Sequence, residues 1–195
     1  MAKRICIIQG HPDPRPERFC RALGEAYRKG AEAAGHEVRQ IDVASLAFPL
    51  LRTQADWEHA APPDDIVQAQ DNIGWAEHLV FVYPLWLGAM PALLKGFLEQ
   101  ALRPGFAVSG EAAGTAWTQR LKGRSARIVV TMGMPALVYR WYFGAHSLKS
   151  FERNILKFCG IRPVRESLVG MVAAKEGGGR TGWLAKMEEL GSKAL

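Results

Sequence analysis

Three short stretches carry residue types suited to holding a small ligand: "GHPDPRPERFC" (10–20), "PLWLGAM" (84–90) and "TMGM" (131–134). In the first, His11 and Arg18 flank the point where a helix is expected to begin. Free N–H groups and the dipole at a helix N-terminus favour an anion, and these two side chains can add positive charge. His11 has a second reading as a turn residue bonded to backbone, while Pro12, Pro14 and Pro16 stiffen the loop. The other two stretches are apolar with accessible backbone. They suit a flat, partly apolar ring edged with hydrogen-bonding N and O atoms. Amides near Leu85–Leu87 and Met132–Met134 would read that edge, and Trp86 or Leu87 would pack on the plane. The plainer alternative makes Trp86 a core residue.

Several chemistries are disfavoured. The first loop lacks GxxxxGK[ST] and offers only Gly10 of a GxGxxG pattern, which argues against a nucleoside triphosphatase and a standard nicotinamide-binding domain. The five histidines show no metal-ligand spacing, so no metal site is expected. Three cysteines (Cys6, Cys20, Cys159) without a CxxC pair fit a reducing compartment, the cytoplasm. The net charge of +6 suits anionic small molecules, but the cations are scattered rather than striped, which argues against nucleic acid. The run Leu79–Leu94 contains two prolines and is shorter than the roughly 20 residues of a membrane span, and the N-terminal apolar run is too short for a signal peptide.

The elements that must position these loops alternate. "RICIIQG" (4–10) reads as a buried strand, followed by a helix over about 17–34 with Phe19, Leu23, Ala26 and Tyr27 on its apolar face. "HEVRQID" (36–42) is a half-polar strand near an edge. A Pro-rich excursion at 48–65 is long enough to suggest function or the covering of a partner. A helix over 64–76 precedes "HLVFVY" (78–83). Pro91 opens a further helix with Leu94, Phe97, Leu98 and Ala101 inward and Lys95, Glu99 and Gln100 toward water. "ARIVVTMG" (126–133) is a fourth strand, followed by the aromatic loop "MPALVYRWYFGAH". A helix over 147–159 should bury Leu148, Phe151, Ile155 and Phe158. A fifth strand spans 164–172, and Gly177–Gly179 form a joint before a last helix at about 180–194. The pattern predicts one α/β domain over 1–195, an open doubly wound parallel sheet of five strands with helices on both faces. Ligands of such sheets sit beyond the carboxyl ends of the strands, where all three loops fall.

"YPLWLGAMPALLKGFLEQAL" (83–102) resembles the signature of the flavodoxin-like NAD(P)H:quinone oxidoreductases, the DT-diaphorase and modulator-of-drug-activity group. Pro84, Trp86, Pro91, Ala92, Leu94, Lys95, Gly96 and Phe97 match in place. "GHP-P" at 10–14 looks like that family's first phosphate loop and "TMGM" like its second flavin loop. The likeness extends over about 4–172, and the whole is similar to a bacterial branch of NAD(P)H-dependent oxidoreductases. Two departures stand out. Glu17 or Arg18, and Cys20, replace the usual Ser and Asn, and Met134 stands where a second Gly is common.

The resemblance implies bound FMN or FAD, NAD(P)H as co-substrate, a quinone-like acceptor and hydride transfer in two half-reactions. It also implies a homodimer with the flavin at the subunit interface. His11, Phe19 and Cys20 then fall on the flavin phosphate, with Arg18 substituting by charge. Pro84, Leu85, Trp86 and Leu87 fall on the ring, and Thr131, Met132, Gly133 and Met134 on the opposing loop. Tyr139, in step, and His146, after a one-residue shift, fall on the catalytic pair near the N1/O2 edge. His146 has two other readings, as the cap of the helix at 147 or as a residue of the dimer seam. The run Tyr139, Trp141, Tyr142, Phe143 reads as acceptor wall or dimer contact, and Phe48, Leu50, Leu51 and Trp57 as partner-facing. A different class is also implied: a flavin-binding regulatory subunit of a potassium-efflux system. A one-electron flavodoxin carrier is disfavoured, because its phosphate loop and acidic surface are missing.

Overall fold

The computed structural model describes residues 1–110, 117–172 and 178–195. Short apolar runs become the parallel strands β1 (Arg4–Gln9), β2 (Glu37–Asp42), β3 (His78–Pro84), β6 (Ser125–Thr131) and β7 (Val164–Val169). Their order across the sheet is β2-β1-β3-β6-β7. The half-polar β2 lies at an edge, as its composition requires. The chain leaves β1 to one side and returns to the other side as β3, so a crevice opens above these two strands. This is the open five-stranded parallel sheet expected from the alternating pattern, in the strand order of the flavodoxin-like fold that the resemblance implies.

Strand alternation divides the core. Ile5, Ile7, Val80, Val82 and Val129 face α1 (Phe19–Ala33) and α6 (Gly178–Ser192). Cys6, Ile8, Leu79, Phe81, Ile128 and Val130 face α3 (Asp64–Trp75), α4 (Ala92–Ala101) and α5 (His146–Ser150). Gly30 of α1 lies directly against the Glu188 carbonyl, and Gly191 of α6 against that of Tyr27. Only the absence of Cβ atoms there lets the two helices approach so closely.

Several boundaries differ from the sequence reading. The first helix begins at Phe19 rather than 17, because Pro16 and Glu17 form a separate turn, closed by the Arg18 amide on the Arg15 carbonyl at 3.3 Å, and Arg18 itself is extended. The fourth sheet strand ends at Thr131, and the fifth at Val169. Part of the aromatic loop is a π-helical turn, Val138–Tyr142. After α5 the backbone widens into a second π-helical segment, Phe151–Leu156. Its i→i+5 spacing turns Phe151 and Leu156 inward together, so Leu156 is buried while Ile155 is half-buried and Phe158 exposed. A short helix α2 (Gln54–Glu58), closed by a Thr53–Asp56 capping box, lies within the Pro-rich excursion. A two-residue pairing of β4 (Val108–Ser109) with β5 (Thr118–Gln119) has no counterpart in the sequence reading. Gly177 of the glycine joint lies outside the described residues, and Gly178 and Gly179 are already within α6.

On α4 the inward face is as expected, and Lys95 and Glu99 pair in solvent. Gln100 is the correction: it is buried, because the excursion folds over it and the Pro49 carbonyl accepts from its side chain at 2.7 Å. Phe48 packs on Phe97 and Trp57 on Trp117, so neither is a free surface residue; Leu51 is half-buried and Leu50 largely exposed.

Candidate functional site

The loop after β1 is drawn tightly into the sheet. The Gly10 amide donates to the Val82 carbonyl at 2.8 Å, and a Cβ at Gly10 would strike Leu94 and Tyr83. Next, Nδ1 of His11 accepts from the Asp13 amide at 3.0 Å. Burial, assisted by Arg21 and Arg15 and opposed by Asp13, lowers the His11 pKa. The imidazole is therefore neutral at pH 7, and the positive charge expected of His11 is absent; with Nδ1 accepting, Nε2 is the donor. Asp13 is the hub of the loop. Its carboxylate accepts from the Arg15 amide at 3.0 Å and pairs with both the Arg15 and Arg18 guanidiniums. Hydrogen bonding, first to the Arg15 amide, lowers its pKa. Arg21 reaches on to Asp42 at 2.8 Å. No side chain caps α1, and the amides of Phe19 and Cys20 meet no acceptor among the described residues. Open amides of this kind at a helix N-terminus suit an anion, and Arg15 and Arg18 lie in the same loop.

The loop after β3 is a two-residue hairpin turn. Trp86 and Ala89 exchange backbone bonds of 2.9 and 3.0 Å around Leu87 (φ 46°) and Gly88 (φ 77°). A left-handed Leu is disfavoured, and this one is fully exposed at the tip. Trp86 is 49% exposed and meets His11 edge-on at 5.8 Å, tying the second loop to the first. The third loop joins them: the Leu85 amide donates to the Thr131 carbonyl at 2.7 Å, and the Thr131 hydroxyl lies 3.1 Å from the Cys20 thiol. Burial raises that thiol to about 11, so it is uncharged. Pro84 is buried at the end of β3.

The edge-reading amides need correction. Those of Leu85 and Trp86 are spent on Thr131 and Ala89, and that of Met132 on Val169 at 2.9 Å. The amides of Leu87, Gly133 and Met134 donate to nothing among the described residues and remain available. Met132 itself is core. Gly133 faces open space, whereas Met134 is half-buried and its carbonyl accepts from the Met171 amide. Phe19 is half-buried beneath the Arg180 guanidinium, 5.1 Å from its ring centre.

Tyr139 is 2% exposed, deeper than the aromatic run suggested. Its hydroxyl lies 2.8 Å from Ser147 Oγ and accepts from the Leu148 amide at 3.3 Å. Between Tyr139 and Ser147 either hydroxyl can be the donor, so the tyrosine proton is free only when Ser147 donates. His146 is the exposed first residue of α5, and its side chain caps nothing, which removes the capping role. The ring folds back over Gly144 (φ 64°), where a Cβ would strike it. Beside it Trp141, Tyr142 and Phe143 project into solvent. The sequence reading missed Asp13, although "PDPR" carries the Asx-turn signal that places Arg15. Among the described residues no His, Cys, Asp and Glu side chains gather as metal ligands, the cysteines are unpaired, and no helix is long and apolar enough to cross a membrane.

These features are shared with known proteins. A family model described as "Flavodoxin-like fold" matches residues 3–189. An uncharacterized NAD(P)H oxidoreductase of Haemophilus influenzae is 30% identical over 171 residues, covering 84% of this chain and 82% of that protein. NAD(P)H dehydrogenase [quinone] 1 of Rattus norvegicus is 28% identical, covering 96% of this chain and 77% of its own. The structure of an NAD(P)H:quinone oxidoreductase from Methanothermobacter marburgensis superposes over the whole of both chains with a TM-score of 0.84 at 24% identity. A crevice built from the loops after the first, third and fourth sheet strands, together with a match over nearly the full chain, places this protein in the flavodoxin-like family of NAD(P)H:quinone oxidoreductases.

Proposed function

We propose that the crevice holds a flavin, FMN in the first instance and FAD as the alternative, and that the enzyme carries electrons from NAD(P)H to a quinone-like acceptor. The observation that carries this reading is the pairing of a helix start whose amides meet no acceptor among the described residues with an exposed aromatic shelf. The Phe19 and Cys20 amides beside Arg15 and Arg18 suit the phosphate, and the Trp86–Leu87 turn suits the ring. Opposite the turn, the open backbone of Gly133 leaves room for a flat ring and two free amides for its edge. Asp13 does not spoil the fit, since two guanidiniums neutralise it and leave a surplus of positive charge. When bound, the flavin would supply the redox centre that takes a hydride from NAD(P)H and passes two electrons to the acceptor.

The chain's own residues bind, orient and exclude. His11 is neutral and keeps its Nε2–H available, and its edge-on contact with Trp86 links the first loop to the shelf. Tyr139, its oxygen held by Ser147 and Leu148, is poised to donate a proton or a hydrogen bond toward the ring edge. His146 is the second, exposed donor of that edge. Leu87, Trp141, Tyr142 and Phe143 are exposed apolar side chains on the chain segments that follow β3 and β6. A second copy of the chain would cover these side chains and exclude water, so we assign the protein a homodimeric, cytoplasmic state with three unpaired thiols.

The test is direct. Purified protein should be yellow, its heat-released cofactor should elute as FMN or FAD, and menadione should accelerate NADPH oxidation. Colourless protein that takes up neither flavin at micromolar concentration refutes the reading. Bound flavin without acceleration by any quinone, nitro compound or azo dye would instead move the assignment to a regulatory subunit.

A further inference from the structure

Lys149, Arg153, Lys157 and Arg162 are separated along the sequence, and the fold gathers them. All four line one open cavity of about 950 Å³ beside α5 and the π-helical segment that continues it. Its single carboxylate, Glu152, pairs with Lys157 at 2.6 Å. Two neutral amides complete the polar lining: Asn154 Nδ2 donates to Ser150 Oγ at 3.2 Å, and Gln119 Nε2 to the Lys157 carbonyl at 2.9 Å. Phe158, edge-on to Trp117, is the apolar member. Lys149, Arg153 and Arg162 are exposed and meet no carboxylate among the described residues.

This arrangement works against the helix that carries it. Lys149, Arg153 and Lys157 follow one another at i, i+4 and i+8, and like charges at that spacing destabilise a helix. Other helices of the chain interleave carboxylates: Arg28 pairs with Glu25 and Glu32, Lys95 with Glu99, and Lys186 and Lys193 with Glu189. The helix dipole accounts for Lys157 at the C-terminal end of the helical stretch 146–156. It opposes Lys149 near the N-terminal end and has no hold on Arg162, which lies beyond the helix. We infer that this groove is a binding site for a small anion built as a chain of phosphates. Four cations against one carboxylate leave about three positive charges to be met. Successive cations on the helix stand about 6 Å apart along its axis, so a phosphate chain meets them in turn where a single phosphate meets one or two. Arg153 and Arg162 offer planar forks to phosphate oxygens, and Lys149 a point charge. The inference is independent of the flavin reading, since no residue of the loops at 10–20, 84–90 and 131–134 lines the groove.

Tripolyphosphate is the probe, titrated by calorimetry into the full-length protein at low salt, with and without FMN. Saturable binding that FMN leaves unchanged is expected, with inorganic phosphate about tenfold weaker or more. Adenosine triphosphate run beside it separates two sources of such a chain. Equal affinity assigns the free chain and tighter binding a nucleotide, and either supports the site. Arg153→Gln should weaken tripolyphosphate about tenfold, as loss of one charge-assisted contact does, whereas Lys95→Gln, the same charge change on α4, should leave it within about threefold. Without ligand, Arg153→Gln should melt no lower than wild type, because it relieves like-charge repulsion. Absent binding, loss of binding on adding FMN, or equal weakening by the two variants overturns the inference. So does a lower melting temperature for Arg153→Gln, or capture of the protein by phosphatidylserine vesicles or single-stranded RNA with no binding of tripolyphosphate.

Discussion

Replacing Trp86 with Ala tests whether the exposed shelf is a ring-stacking surface. About half of the side chain is open to solvent. A tryptophan can bury about 250 Å², so roughly 120 Å² is available to a ligand. A flat ring lying on one face would cover about half of that, worth ~1.5 kcal/mol at 25 cal/mol per Å². Aromatic stacking adds about 1 kcal/mol, which together weakens flavin binding roughly 30- to 100-fold. The turn itself should survive, because Trp86 holds Ala89 through backbone atoms that the substitution leaves in place. The assay is quenching of flavin fluorescence by apoprotein, with thermal unfolding as the control. Flavin loss on desalting with an unchanged melting temperature is the expected result. A dissociation constant within about threefold of wild type would show that the ring lies elsewhere.

Tyr139→Phe should slow reduction by NAD(P)H about tenfold or more in stopped flow, as loss of one transition-state hydrogen bond does. An unchanged reductive half-reaction would reduce Tyr139 to the structural partner of Ser147 and Leu148. His78 is buried beside Ser125, and desolvation depresses its pKa from 6.5 to about 3. The unfolded chain therefore binds this proton first. The resulting stability is present above about pH 6.5 and is lost as pH falls toward 3, on the order of a few kcal/mol. Urea melts across that range should show a shallower acid slope in His78→Leu; an identical slope would exclude His78 as its source. Gly30→Ala forces a Cβ onto the Glu188 carbonyl and should cost about 1–3 kcal/mol in urea unfolding, or more if α6 cannot shift. Unaltered stability would mean that α1 and α6 separate at no cost.

Some of the layout was legible because local chemistry and periodicity already specify it. The Pro91 helix start follows from residue type, and the 3.6-residue period on α4 put Leu94, Phe97, Leu98 and Ala101 inside, whereas residue type left Trp86 between core and surface and only the fold exposed it. Met132 and Tyr139 were harder. Whether their groups are free depends on Val169, Ser147 and Leu148, which are distant along the chain or reached only after a π-helical turn. The neutrality of His11 is likewise a property of burial, which no residue name reveals.

By itself, then, the sequence determined the alternating elements, the parallel sheet and the three loops at its carboxyl edge, because each rests on short-range periodicity, proline and glycine. Only the tertiary structure decided which polar atoms are spent and which stay open. It turned Gln100 from water into the core by laying the excursion across α4, and it spent the Leu85 and Met132 amides on Thr131 and Val169. The physical reason is that hydrogen-bond satisfaction and desolvation are set by whatever packs on a group, and those neighbours are brought together only by the completed fold.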